Sequence, residues 1–299
     1  MNTVNKDTLN IKAPAKINLT LDVIGRLPNG YHKLKMIMQT ISIYDELTVS
    51  LVPHTTSQAL VTLNMDKELP DKIPSEKNLV YKAAMLMKKK FNIVMDFNIC
   101  LNKNIPSAAG LAGGSSDCAA TFIAINQLCR LGLSKEELCK LGVTLGADVP
   151  YCIRKGTMLS EGIGEILTPI TPLATTWLVL IKPNIYISTA YVYQNLDIAK
   201  LKIHPNTDRM IKAIEENDIF CIASCLCNVL ETVTIPKHSI IEDIKTFLKE
   251  SGASGALMSG SGPTVFGIFT DEKKADIAYR RALNCHQYKG YDILLCHTI

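Results

Sequence analysis

The run Ile105-Pro106-Ser107-Ala108-Ala109-Gly110-Leu111-Ala112-Gly113-Gly114-Ser115-Ser116-Asp117-Cys118-Ala119-Ala120 has the residue types of a phosphate cradle. Glycine opens backbone conformations closed to other residues and lets a ligand come close to the main chain, so Gly113 is expected at positive φ. Apolar residues follow at helical spacing, at Ala119, Phe122, Ile123 and Ile125. A helix starting just after the glycines aims its first N–H groups, and the positive end of its dipole, back at the loop. Phosphate oxygens bind there. No Gly-Lys-Ser/Thr closes the run, so it is not a Walker loop, and its glycine spacing does not fit a dinucleotide fingerprint. The alternative without a ligand is a glycine-rich turn capped by serine.

Three further segments carry polar groups that a core strand or a bare turn would not need. In Ala13-Pro14-Ala15-Lys16-Ile17-Asn18-Leu19, residues Lys16 and Asn18 share one face of a strand and Ile17 and Leu19 the other. A solvent-facing lysine is the plain alternative. In Leu145-Gly146-Ala147-Asp148-Val149-Pro150 an acid sits among small and apolar residues, at what reads as a helix-to-strand transition. A turn-forming aspartate would look the same. Ser259-Gly260-Ser261-Gly262-Pro263-Thr264 is a second glycine loop that enters a strand. Phosphoryl transfer requires a cradle for nucleotide phosphates, a base or field to ready the acceptor hydroxyl, and positive charge against the transferred group. Glycine loop, aspartate and lysine are those parts.

The elements that must position them read as α+β. Strands are expected over 11–24, 41–51, 59–63 and 95–101, helices from the Asn78 cap to Lys90 and from the glycine loop through Ile125. Ser134 and Glu137 form a capping box for a short helix to Leu141. After Gly164 the pattern restarts with a strand at 177–181 and helices near 207–216, 219–230 and 239–249. A strand at 264–269, a helix over 273–283 and a closing strand near 291–296 complete it. Strands and helices interleave without regular βαβ winding.

With 299 residues and 47% hydrophobic content the chain is globular, and two domains are expected. A net charge of +4 permits an anionic small molecule and gives no nucleic-acid footprint. The one dense basic run, Lys88-Lys89-Lys90, suits a solvated helix end. Residues 1–10 lack the apolar centre of a signal peptide, and no apolar run is long enough for a membrane span. The ten cysteines are expected to be reduced thiols in a cytoplasmic protein. Cys221, Cys225 and Cys227 fit no zinc spacing and are expected to pack on a helix.

Pro106 to Ala120, taken with Ser259 to Phe266, resembles the GHMP kinases, the superfamily of galactokinase, homoserine kinase, mevalonate kinase and phosphomevalonate kinase. The match narrows through Pro-Ala-Lys-Ile-Asn-Leu at 14–19, Gly-Tyr-His at 30–32, Leu-Gly-Ala-Asp-Val-Pro at 145–150 and Glu-Gly-Ile-Gly-Glu at 161–165. These resemble the members that phosphorylate a small-molecule cytidine diphosphate substrate on the non-mevalonate route to isoprenoid precursors.

The resemblance implies a two-domain GHMP kinase fold: an ATP-binding domain over 1–165 with a left-handed βαβ unit, and a ferredoxin-like domain over 166–299. It implies that Asp148 takes the proton from the substrate hydroxyl while Lys16 orients Asp148 and balances charge. Pro106, Ser107, Ala108, Ala109, Gly110, Leu111, Ala112, Gly113, Gly114, Ser115 and Ser116 would wrap the ATP phosphates, and Ser259, Gly260, Ser261 and Gly262 would close the site. Tyr31 would stack on cytosine, His32 and Asn18 would contact the base or polar groups of the substrate, and Thr189 and Tyr193 would meet it from the second domain. ATP with Mg2+ is the implied cofactor. No carboxylate identifies itself as the magnesium ligand, and Ser115 and Ser116 stay open for it. Ser107-Ala108-Ala109 stands where many relatives carry more glycine, which implies a stiffer loop. Two other readings remain: a kinase of this superfamily for another small alcohol, and a non-catalytic nucleotide-binding regulator. A stacked aromatic beside a histidine at 31–32 favours cytosine over an aliphatic acid, and the pairing of Lys16 with Asp148 argues against the regulator.

Overall fold

The computed structural model describes residues 7–28, 30–54, 61–66 and 75–299. In chain order these form strands β1 (Thr8–Arg26), β2 (His32–Val52) and β3 (Val61–Met65), helix α1 (Leu79–Lys90), strand β4 (Asp96–Asn102), and helices α2 (Gly113–Leu128), α3 (Lys135–Gly142) and α4 (Val149–Arg154). Strands β5 (Thr157–Gly162), β6 (Ile166–Pro169) and β7 (Trp177–Lys182) follow, then helices α5 (Thr189–Asn195), α6 (Thr207–Glu215) and α7 (Ile219–Cys225), strand β8 (Cys227–Asn228), and helices α8 (Glu231–Lys237) and α9 (Ile240–Glu250). The chain ends with β9 (Gly255–Met258), β10 (Val265–Phe269), helix α10 (Glu272–Leu283) and β11 (Asp292–His297).

These elements group into two compact units along a different line from a cut at residue 165. The first holds the described residues of Met1–Ala15, Ile43–Ser107 and Ala112–Arg154; the second holds Lys16–Ser42, Ala108–Leu111 and Lys155–Ile299. In the first unit β4 pairs with the second half of β2 antiparallel, from Glu46↔Asn102 to Val52↔Asp96, and with β3 parallel. The chain passes from β3 to its parallel neighbour β4 through α1, which makes a βαβ unit. Asn78 caps α1 by accepting from the Val80 N–H, and Ser134 with Glu137 closes the expected capping box on α3. Helix α2 packs on α1 and α4 and is buried almost continuously from Ser116 to Ile125.

The second unit carries a four-stranded antiparallel sheet in the order β11-β7-β10-β9. Numbered along the chain that order is 4-1-3-2, with α9 and α10 packed on the sheet, which is the ferredoxin-like arrangement. Helix α9 turns Ile241, Ile244 and Leu248 inward at helical spacing, and α10 does the same with Ala275, Ala278 and Ala282. Gly267 in β10 lets α9 approach, since a Cβ there would lie 3.2 Å from Leu248 Cβ. The first half of β2 pairs with β5, and β8 pairs in parallel with β1 through Thr20↔Cys227 and Leu21↔Asn228.

Several expectations are corrected. The helix expected over 219–230 breaks at Leu226, whose extended backbone leads Cys227 and Asn228 into pairing with β1 before α8 begins. Apolar spacing runs through the break and cannot show it, so Cys227 lies on a strand. Residues 145–150 lead from one helix into another, α4, and not into a strand. Lys88 is not at a solvated helix end: it is buried and bonds to Asp96 at 3.0 Å and to the carbonyls of Val94 and Met95. The strand expected at 59–63 begins outside the described residues and continues as β3. All ten cysteines are free, and no helix among the described residues is long and apolar enough to cross a membrane.

Candidate active site

In the second unit β1 is buried on both faces from Lys16 to Val23. Ile17, Leu19, Leu21 and Val23 fill one side, and Lys16, Asn18, Thr20 and Asp22 lie buried on the other. The solvent-facing reading of Lys16 therefore fails: only 5% of the residue is exposed. Its ammonium donates to Asn18 Oδ1 at 2.7 Å, and Asn18 Nδ2 lies 3.4 Å from the Met36 sulfur. A buried charge has to be held by such polar contacts.

Ala108–Leu111, the middle of the first glycine loop, belongs to this unit. The Lys16 N–H donates to the Leu111 carbonyl at 3.1 Å, which fixes that stretch on β1. Gly110 sits at φ +73, where a Cβ would lie 2.1 Å from the Ser259 carbonyl oxygen. The Ser259 hydroxyl donates to the Gly110 carbonyl at 3.0 Å, so a side chain of the second loop bonds the backbone of the first. Ser261 and Thr189 share a hydrogen bond of 2.8 Å, which ties the start of α5 to the second loop. Tyr193 stands one turn further along α5 and packs its ring on His32, with centroids 5.2 Å apart.

His32 is the one residue of this group with an unanswered polar atom. Its Nε2 is buried and has no hydrogen-bond partner among the described residues. Burial, with help from the Arg26 cation, lowers its pKa below the usual histidine value, so the ring is neutral near pH 7. Arg26, His32 and residues 194–199 line an open pocket of about 400 Å3. Tyr31 has 58% of its surface exposed and is not among the residues that line the pocket. Arg26 lines this pocket, and the motifs did not single it out.

Residues 112–116, the later part of the first glycine loop, belong to the first unit. Ala112 has φ +56 and no side chain caps α2, so the first turn of that helix is open at the glycines. Ala108 also has φ +49; these two alanines, and not Gly113, take the left-handed backbone. Gly113 has another reason to lack a side chain, because a Cβ would lie 3.0 Å from Ile105 Cγ2 and 3.3 Å from Lys103 Nζ. Gly114 is open and exposed. The Ser116 hydroxyl is buried and donates to the Pro14 carbonyl at 2.7 Å, whereas Ser115 is partly exposed. Pro106 and Ser107 precede this stretch on the chain leaving β4. Asp148 directly precedes α4, and its carbonyl accepts from the Cys152 N–H. It belongs to the first unit and Lys16 to the second.

Beneath the loop lies a buried charge cluster that the motifs did not reveal. Lys103 bonds to Asp45 and, at 2.7 Å, to Asp117 in the second turn of α2. Asp45 also accepts from the N–H groups of Asn104 and Ile105, at 2.6 and 2.8 Å. Burial pushes the Asp117 carboxyl up to about 7; Lys103 opposes this and Asp45 adds to it. Burial works against the Lys103 charge, but the two carboxylates together carry its pKa above the usual lysine value. The cluster ties the chain leaving β4 to the start of α2. The signal for it in the sequence is only a lysine three residues before Pro106 and an acid after Ser116.

Among known proteins, the family model for the GHMP kinases N terminal domain matches residues 78–156, and the GHMP kinases C terminal model matches 204–288. A protein of Lachnoclostridium phytofermentans named 4-diphosphocytidyl-2-C-methyl-D-erythritol kinase is 50% identical, over 91% of this chain and 92% of its own. A protein of Acetivibrio thermocellus with the same name is 47% identical, over 93% of this chain and 96% of its own. A crystal structure of 4-(cytidine 5'-diphospho)-2C-methyl-D-erythritol kinase superposes with a TM-score of 0.80 at 26% identity, covering 97% of this chain and 99% of that one. Homoserine kinase from Cytophaga hutchinsonii shares the fold, with a TM-score of 0.73 at 18% identity over 100% of this chain and 96% of its own.

Proposed function

We propose, for a chain that belongs to the GHMP kinases and within them to the 4-diphosphocytidyl-2-C-methyl-D-erythritol kinases, transfer of the γ-phosphoryl group of ATP to the 2-hydroxyl of 4-diphosphocytidyl-2-C-methyl-D-erythritol. The bond from the γ-phosphorus to the β–γ bridging oxygen breaks, a bond to the alcohol oxygen forms, and ADP leaves. Asp148 accepts the hydroxyl proton, and Lys16 supplies the balancing positive charge. The residues from Pro106 to Ser116 hold the phosphates, with Ser259 to Gly262 closing over the nucleotide. In this reading 1–165 is the ATP-binding domain and 166–299 completes the substrate side. The protein works in the cytoplasm, on small molecules and not on nucleic acid or membranes.

The observation that carries the substrate assignment is His32, a neutral ring packed on Tyr193 that lines an open pocket together with Arg26 and whose buried Nε2 has no partner among the described residues. A neutral imidazole offers one donor and one acceptor, which suits the polar edge of a base. Tyr31 and Tyr193 offer ring faces for stacking, Asn18 and Thr189 offer hydrogen bonds, and Arg26 suits an anionic diphosphate.

The residues present also fit magnesium. Among the described residues no cluster of three or more histidines, cysteines and acids forms a metal cage. Magnesium on a nucleotide needs none, since phosphate oxygens and waters fill most of its shell. The partly exposed Ser115 hydroxyl would hold it, while the Ser116 hydroxyl is engaged with Pro14. When bound, the ion would neutralise phosphate charge.

ADP release measured with the cytidine diphosphate substrate, with homoserine, with mevalonate and with no acceptor tests the reading. Turnover with the cytidine substrate alone is expected. Turnover with another alcohol, or none with any, overturns the assignment.

A further inference from the structure

Besides the Thr189 bond to Ser261, the second glycine loop is held by a side chain from β8. Asn228, in β8, is buried, and its Nδ2 donates to the Met258 carbonyl and to the Gly260 carbonyl, both at 2.8 Å. Its Oδ1 accepts from the Leu230 N–H at 3.0 Å, so the amide is fully engaged. The main chain around it is pinned to β1 through the Leu21↔Asn228 pairing and the Val229 N–H to the Leu21 carbonyl at 3.0 Å. Three residues on, Glu231 accepts the Met258 N–H at 2.9 Å and is itself held by Lys245 at 2.8 Å.

This geometry leaves little choice of residue at 228. Gly260 lies at φ +57, and a Cβ there would be 3.2 Å from the Gly110 carbonyl and 3.7 Å from Asn18 Oδ1. A loop of small residues cannot orient its own buried carbonyls, and the turn bond from the Gly262 N–H to the Ser259 carbonyl does not reach those of Met258 and Gly260. Two acceptors need two donors that diverge from one point while a third bond fixes the group's rotation. A primary amide is the short neutral side chain with two N–H groups and an acceptor; a hydroxyl has one donor and a carboxylate has none. We propose that Asn228 is a positioning residue for phosphoryl transfer, setting the Met258–Gly260 backbone on the strand that carries Lys16 and Asn18 and so the shape in which the second loop meets the nucleotide. The proposal rests on the reading of Ser259–Gly262 as a nucleotide-closing loop.

The test is steady-state kinetics and calorimetry with a non-hydrolysable ATP analogue on Asn228→Asp, Gly260→Ala and Lys245→Gln, each beside a thermal melt. Asn228→Asp keeps the size of the side chain and sets carboxylate oxygens against two carbonyls. It is expected to weaken analogue binding and raise KM for ATP about tenfold or more, the loss of two modest hydrogen bonds. KM for the cytidine substrate should stay near wild type. The defect should shrink as pH falls, because a protonated carboxyl restores one donor. Lys245→Gln, which removes the ion partner of Glu231 and Glu242, should lower the melting temperature without that change in KM. Gly260→Ala perturbs the loop directly. If it weakens the analogue and folded Asn228→Asp does not, the positioning role is wrong and the loop reading stands. If neither variant weakens the analogue, both fall. An Asn228→Asp defect that tracks the melting temperature alone, with no pH recovery, also overturns the proposal. Should Asn228→Asp fail to fold, the uncharged Asn228→Ser carries the same comparison through its single donor.

Discussion

The Ser259 hydroxyl donates to the Gly110 carbonyl across 3.0 Å, joining two glycine loops that lie 149 residues apart in the chain. The contact is possible because Gly110 carries no side chain: a Cβ there would come within 2.1 Å of the Ser259 carbonyl oxygen. The two loops form one piece of backbone, with hydrogen bonds to β1 on one side and to Thr189 on the other.

Gly110→Ala is therefore expected to be far more damaging than an alanine at another positive-φ glycine. Left-handed backbone alone costs about 1–2 kcal/mol for a residue with a Cβ. Gly132→Ala, at φ +67 with nothing within 4 Å, should show only that strain. Gly110→Ala should add displacement of the Ser259 loop, seen as a larger drop in melting temperature and weaker binding of an ATP analogue. Equal effects in the two variants would mean that the loops are free to separate.

Asp148→Asn should keep fold and nucleotide binding and lose turnover, by the ~10²–10⁴ typical of a general base. Kinetics beside a melt decide it. Near-normal turnover in a folded variant removes Asp148 from the mechanism.

Tyr31→Ala should raise KM for the cytidine substrate roughly ten- to hundred-fold, since base–aromatic stacking is worth about 1–3 kcal/mol. Tyr31→Phe should cost little, because stacking uses the ring. KM for ATP should not move in either variant. An unchanged KM for the cytidine substrate in Tyr31→Ala would place the base elsewhere.

The raised Asp117 carboxyl gives stability a sign with pH. Burial lifts it to about 7 in the folded protein, whereas an unfolded aspartate titrates at about 3.9. Between those values the folded chain holds a proton that the unfolded chain has released, so stability is greatest below the lower value and declines as pH rises toward the upper one. The slope is at most about 1.4 kcal/mol per pH unit. Asp117→Asn removes the titrating group and should flatten the fall in melting temperature between pH 5 and 8. An unchanged fall in the variant would show that Asp117 does not titrate across this range.

Residues that speak for themselves locally were legible in the sequence. Ser134 and Glu137 announce a helix start because both partners lie within one turn. The glycines at 110 and 260 announce a backbone that no side chain can crowd, and the apolar spacing of α9 and α10 gives the inward faces of both helices. The motif conjunction was enough to read the GHMP kinase family, because each motif is a short contiguous string.

What the chain alone left open depends on partners brought from far away. Lys16 could face solvent or core until the fold covered both sides of β1, and Lys88 reads as a surface lysine until Asp96 is placed beside it. Asp45 and Lys103 are 58 residues apart, and Asn228 meets carbonyls 30 and 32 residues away. Periodicity ran through the break at Leu226 because hydrophobic spacing records burial, and burial persists when a helix gives way to a strand. A charge or amide in the sequence shows what it can bond, and only tertiary packing decides which group it meets and whether water is still there to compete.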